Sequence, residues 1–144
     1  MERLCHTGIH SFFPKSRGNF CYLWGGADAV AIQSDGKIVA AGHNTDNHTV
    51  TLIRYNKDSS LDSSFSDDGI QETSISYYYL GVVSIAIQSD GKIITGGSAS
   101  DTTALATALG RYNTDGNADT TFSKDGIQMT NFSIASIAIQ KMEK

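Results

Sequence analysis

The densest run of side chains able to bind a cation is Asn113-Thr-Asp-Gly-Asn-Ala-Asp119, in which oxygen-bearing residues alternate. Calcium loops present their ligands in this alternating way. Two diagnostic positions disagree. Counting from Asp115, the sixth residue is Thr120 where such a loop needs glycine, and the twelfth is Gly126 where it needs glutamate. The earlier run Asn56-Lys-Asp-Ser-Ser-Leu-Asp62 has the same layout with Ser60 in place of Asn117. Asn and Asp side chains that bond their own backbone explain both runs as turns. Neither a metal nor any other cofactor is expected.

Arg54 and Arg111 each stand eight residues before an aspartate, Asp62 and Asp119. Such a pair can hold an anionic ligand or a structural ion pair. An active site needs one constellation, whereas a structural pair recurs with its structural unit, so the structural reading is preferred. Ser34-Asp35-Gly36 and Ser89-Asp90-Gly91 set serine beside aspartate, but no histidine recurs with them and a hydrolase triad is not formed. Cys5, His6, His10 and Cys21 lack the spacing of a zinc site, and there is no Cys-x-x-Cys pair. Tyr77-Tyr-Tyr79 offers rings that stack on a sugar or a base, with packing as the preferred role. No catalytic residue is assigned, and the chain is not expected to be an enzyme.

These residues recur because the chain is a repeat array. Ala31-Ile-Gln-Ser-Asp-Gly-Lys-Ile38 returns letter for letter at Ala86–Ile93 and begins again at Ala138-Ile-Gln140. Self-similarity at this spacing is the signature of solenoids and propellers. Residues 29–83 form a first unit, 84–135 a second, and 136–144 the start of a third. Residues 1–28 are an atypical leader whose Phe12, Phe13, Phe20, Tyr22 and Trp24 either cover a blade or belong to a disordered segment.

Each unit reads as four strands. Ala29-Val-Ala-Ile alternates, Ser34-Asp-Gly36 supplies a tight turn of type I′, and Lys37–Gly42 returns antiparallel. The β-branched run Thr49–Tyr55 is a third strand, and Ile70–Ile75, launched by Asp67-Asp-Gly69, is a fourth. Val30 and Ile32 lie on one face and alanines on the other, so both faces are expected to be covered, with small residues allowing close stacking. The expected fold is all-β, a partial β-propeller of about two four-stranded antiparallel blades, with a β-sandwich as the alternative. The structural repeat positions are Asp35, Gly36, Arg54, Tyr55, Asp62 and Phe65, matched by Asp90, Gly91, Arg111, Tyr112, Asp119 and Phe122. Phe65 and Phe122 are expected to plug the core.

Lysine and arginine number 11 against 15 acidic residues, for a net charge of −4. This argues against nucleic acid and anionic lipid as partners. No apolar run reaches the roughly 18–20 residues of a membrane span, so no membrane insertion is expected, and Met1–His10 lacks the apolar centre of a secretory signal.

The layout Ala-Ile-Gln-Ser-Asp-Gly-Lys-Ile-x-x-x-Gly, followed by Arg-Tyr-Asn-x-Asp-x-x-x-Asp-x-x-Phe-x-x-Asp-Gly, resembles the delta-60 repeat of bacterial surface and secreted proteins. More remotely, Gly91–Gly97 and Tyr112 resemble the kelch outline. The resemblance implies a propeller-like repeat without established chemistry, placed at the cell surface or secreted. Two complete units fall short of the about 4–8 blades of a closed propeller. The expected partners are therefore other blades of the same or another chain, with an unidentified protein or carbohydrate ligand. The expected role is that of a non-catalytic structural or interaction module, a fragment of a larger propeller. The alternatives are part of an enzyme or carbohydrate-binding propeller whose site lies in missing blades, or a nonfunctional frameshifted remnant. For the last, codons for Lys141–Lys144 shifted by one base read Asn/Asp-Gly-Lys/Glu, and further repeat units in the downstream DNA are its expected trace.

Overall fold

The computed structural model describes residues 25–44, 48–75, 78–100, 105–132 and 134–139. Cys5, Cys21, His6, His10, the leader aromatics, Tyr77 and the closing residues 140–144 lie outside them. Eight strands follow one another: β1 (Gly25–Ile32), β2 (Ile38–Asn44), β3 (Thr49–Tyr55), β4 (Ile70–Ser74), β5 (Tyr78–Ile87), β6 (Ile93–Ser100), β7 (Leu105–Tyr112) and β8 (Ile127–Thr130). They form two four-stranded sheets, β1-β2-β3-β4 and β5-β6-β7-β8, with every neighbouring pair antiparallel. Each sheet is built from consecutive strands of one repeat. This is the arrangement of successive propeller blades, and it lacks the Greek-key connections of the immunoglobulin-type sandwich. No helix among the described residues is long and apolar enough to cross a membrane.

The β1–β2 turn differs from the expected type I′. Gln33 N donates to Lys37 O at 2.8 Å and Gly36 N to Gln33 O at 2.8 Å, while only Gly36 has a positive φ, of 82°. That is a three-residue loop closed by a glycine bulge. Lys37 N donates to Asp35 Oδ1 at 3.0 Å, which fixes the aspartate as the turn's internal acceptor. The second repeat reproduces the geometry, with Gly91 at φ 83° and Lys92 N 3.1 Å from Asp90 Oδ1.

Strand starts also move. β1 begins at Gly25 and β5 at Tyr78, upstream of the unit boundaries read at Ala29 and Ser84. The pairing register shifts between Ala27 and Ala29 in β1, and between Tyr79 and Gly81 and between Val82 and Ser84 in β5. Bulges insert an extra residue and break the period-two alternation, so the strand upstream of each bulge does not read as a strand.

The sheets pack with a fixed polarity. Val39, Ala41, Val50 and Leu52 of the first sheet join Val82, Ile93, Ala99, Ala108 and Tyr112 of the second in one buried cluster. Ala29 packs against this cluster from β1, and Ile85 and Ile87 from β5. Ile85 and Ile87 are the repeat counterparts of Val30 and Ile32, which are 57% and 70% exposed on the outer face of the first sheet. The expectation that both faces of β1 are covered therefore fails for these two side chains. Identical repeat positions are buried or bare according to whether a neighbouring sheet lies against them. Tyr112 is likewise fully buried between the sheets, where burial pushes its phenol up to about 12, whereas Tyr55 is half-buried.

The turn after β3 has the same hydrogen bonds as the glycine turns: Asn56 N to Ser60 O at 2.8 Å and Ser59 N to Asn56 O at 3.0 Å. Here the left-handed residue is Ser59, at φ 68°, where the second repeat has Gly116 at φ 95°. A side chain in this region costs roughly 1–2 kcal/mol, partly offset in glycine by backbone entropy. Replacing Ser59 by glycine is expected to raise the urea midpoint, by the equivalent of about 0.5–1 kcal/mol. A fall in the midpoint would contradict the assignment.

Candidate functional site

The recurring charged positions converge on one carboxylate per repeat. Asp62 Oδ2 accepts from Arg54 Nε at 2.6 Å and from Lys37 Nζ at 2.7 Å, while Oδ1 accepts from Ser64 Oγ at 2.7 Å and Ser64 N at 3.1 Å. Asp119 is held identically: Arg111 Nε at 2.7 Å, Lys92 Nζ at 2.7 Å, Thr121 Oγ1 at 2.6 Å and Thr121 N at 3.0 Å. Local backbone geometry makes this possible. Asp62 N donates to Arg54 O and Phe65 N to Asp62 O, so the Asp-Ser-Ser-Phe turn folds back beside the end of β3. The guanidinium carbon of Arg54 then lies 4.5 Å from the Phe65 ring centroid, and that of Arg111 4.7 Å from Phe122.

Both carboxylates are 7% or less exposed. Burial raises the Asp62 carboxyl, but hydrogen bonds from Lys37, Ser64 and Arg54 outweigh it and hold the group well below its ordinary 3.8. Lys92, then Thr121 and Arg111, hold Asp119 down in the same way. A buried carboxylate carrying this many donors is a compensated structural charge. Its oxygens are occupied by groups of its own repeat.

The two copies differ in what meets their outer side. Arg54 Nη1 donates across the joint to Thr114 O at 2.6 Å, and Ser66 N donates to Asp115 O at 2.7 Å. Gly116 lies flat against Phe65: a Cβ built there would stand 2.9 Å from the ring carbons Cδ2 and Cε2. In the second copy, no described residue accepts from Arg111 Nη1, and the arginine side chain is 22% exposed against 7% for Arg54. Phe65 is fully buried and Phe122 only half-buried, so the expectation that both phenylalanines plug the core is corrected for Phe122. The neighbouring turn supplies the cover over Phe65; the chemistry of the Phe side chain is the same in both.

Sequence reasoning missed three components. Lys37 and Lys92 recur within the Asp-Gly-Lys turns, Ser64 and Thr121 share a hydroxyl at one repeat position, and the Asn113–Asn117 turn is a joint element through its carbonyls. The first two carry a repeat signal. The third is invisible because its contacts use backbone atoms. A further contact across the joint involves Asp28, whose Oδ2 lies 2.7 Å from His43 Nδ1 and accepts from Val82 N at 3.2 Å. The oxygen run read as a possible cation loop is spent on its own backbone, as Asn117 N donates to Asp115 Oδ1 at 3.0 Å. Among the described residues no three metal-ligating side chains cluster.

Residues 33–65 and 88–122 match the family model of a beta-propeller domain of unknown function, DUF5122. Each matched segment runs from the glutamine before the Asp-Gly-Lys turn to the phenylalanine beneath the arginine. No match was found among curated proteins or among solved structures.

Two outcomes follow. Truncating Phe65 to alanine is expected to cost about 3–5 kcal/mol in urea denaturation, and Phe122 clearly less. Equal losses would contradict the difference in cover. The folded Asp62 and Asp119 lie below their unfolded values, so their stabilisation is complete above about pH 4–5 and is lost as the pH falls through the folded values. Urea midpoints between pH 6 and pH 2 should fall on the acid side, with a shallower acid limb in Asp62→Asn.

Proposed function

We propose that this chain of β-propeller repeats is a non-catalytic structural and interaction module, a pair of blades that works within a larger propeller. The observation that supports the reading is the occupancy of the recurring charged cluster. Both oxygens of Asp62 and of Asp119 carry donors of their own repeat, a lysine, an arginine and a hydroxyl, and this ligation of the carboxylate is the same in both repeats. A catalytic constellation would leave a carboxylate oxygen free for a reacting group, and neither Asp62 nor Asp119 does so.

The partners proposed are further blades of the same or another chain, with a protein or carbohydrate as the eventual ligand of the assembled surface. Exposed Val30 and Ile32 on one outer face, and Arg111 with half-buried Phe122 on the other, suit blade-to-blade stacking. The delta-60 layout supports a surface or secreted setting, and the negative net charge makes nucleic acid an unsuitable partner.

On this reading Arg54 is a fastener. Arg54→Ala should lower the melting temperature by several degrees, and more than Arg111→Ala, because only Arg54 also bonds the neighbouring turn. Removing one partner of a buried ion pair costs about 3–5 kcal/mol. Millimolar calcium should leave the melting temperature unchanged. Wild-type stability in Arg54→Ala, or a calcium-dependent rise, would favour a ligand site.

A further inference from the structure

The joint between the two sheets is a plug in a socket, and each half recurs once more on an outer side of the pair. The filled socket comprises Arg54, Phe65 and the Ser66 amide. Its plug is the Asn113–Asn117 turn, which contributes two successive carbonyls, Thr114 O and Asp115 O, and a residue without Cβ, Gly116. Asp115 adds charge complementarity, since Arg54 is among the groups that keep its carboxyl low, after the Asn117 hydrogen bonds.

The second socket has the same frame. Arg111 is bonded to Asp119 and Thr121 and stacked on Phe122, as Arg54 is on its own partners. Among the described residues its Nη1 has no acceptor and the Ser123 amide, counterpart of Ser66, makes no backbone hydrogen bond. The loop after the phenylalanine also differs: Ser66 and Asp67 have positive φ in the filled copy, whereas Ser123 and Lys124 do not. Residues at the junction of the second and third repeats already follow the polarity of the joint. Ile134 and Ile137 reach over Gly96, and Ile137 N donates to Ser84 Oγ at 3.1 Å, on the sheet face that carries Arg111.

We propose that Arg111, Phe122 and the Ser123 amide form a docking socket for an Asn-x-Asp-Gly turn carried by a further repeat blade. The assignment rests on the structural reading above and names the partner's recognition element. The chain's own unused turn, Asn56-Lys-Asp-Ser-Ser60, is exposed from Lys57 to Ser60 and has the matching backbone bonds. Its Ser59 stands where Gly116 touches the ring. A Cβ at that place meets the phenylalanine below 3 Å, so Ser59 sets the chain against head-to-tail association with its own copies. Such association would be heterologous and open-ended. The glycine at this position therefore acts as a specificity element, admitting a following blade and refusing a second copy.

The test is sedimentation velocity of the full chain over a concentration series, for wild type, Ser59→Gly, Ser59→Gly/Arg111→Lys and Ser59→Gly/Phe122→Leu. Arg111→Lys keeps the charge beside Asp119 and removes the Nη1 donor, while Phe122→Leu keeps an apolar side chain and removes the flat ring. Far-ultraviolet dichroism and a cooperative melt confirm folding in each. Ser59→Gly is expected to associate at least about tenfold more tightly than wild type, and at least one folded double variant to lose that gain. Association of Ser59→Gly no tighter than wild type would overturn the proposal. So would an undiminished gain in both double variants, which would place the contact on sheet edges or apolar faces. The stability of Arg54→Ala is independent of these results, so failure of the socket and failure of the structural reading are distinguishable.

Discussion

The fold turns on a buried carboxylate. Asp62 is almost fully enclosed, and an unpaired charge in that position would cost several kcal/mol. Lys37 from the residue before β2, Arg54 from the end of β3 and Ser64 from the following turn neutralise and ligate it together. Satisfying the charge thus ties the end of β3 and the turn that follows it to the β1–β2 turn, 25 residues away in the chain. It also fixes the guanidinium, whose remaining face is then aimed at the next sheet. Stability within a blade and adhesion between blades come from one cluster.

This coupling gives the array its direction. The first sheet presents Ala29, Ala41 and the arginine side to the second, which presents Ile85, Ile87 and Tyr112 in return. Small side chains on one face receive large ones from the other, and the sheets approach closely. The outer faces carry the complementary leftovers, large apolar side chains on one and an arginine socket on the other. A linear stack of this kind draws its stability from nearest-neighbour interfaces, as repeat proteins do.

Much of this was legible in the sequence. Repetition of Ala-Ile-Gln-Ser-Asp-Gly-Lys-Ile identified the units, and β-branched Thr49–Tyr55 marked a strand, whose burial on both faces only the structure shows. The recurrence of Arg54 with Asp62, and of Phe65 after it, marked the charged cluster as part of the scaffold. What stayed hidden has physical causes. Bulges near Ala27 and Gly81 interrupt alternation, so the early parts of β1 and β5 carry no period-two signal. The joint uses Thr114 and Asp115 through their carbonyls, which any residue except for its side chain would supply equally. The unequal burial of Phe65 and Phe122, or of Ile32 and Ile87, follows from neighbours in space and cannot be read from identical residues in a repeat.

The central claim is that the arginine–phenylalanine socket and the Asn113–Asn117 turn form one energetic unit across the two sheets. The most direct measurement is a double-mutant cycle between Phe65→Ala and Gly116→Ala, followed by urea denaturation. Gly116→Ala alone carries backbone strain at φ 95° and a clash with the ring, and only the clash is relieved when Phe65 is truncated. The account predicts a coupling energy of about 0.5–3 kcal/mol, with the double variant less destabilised than the sum of the single ones. Additivity within about 0.3–0.5 kcal/mol would contradict it.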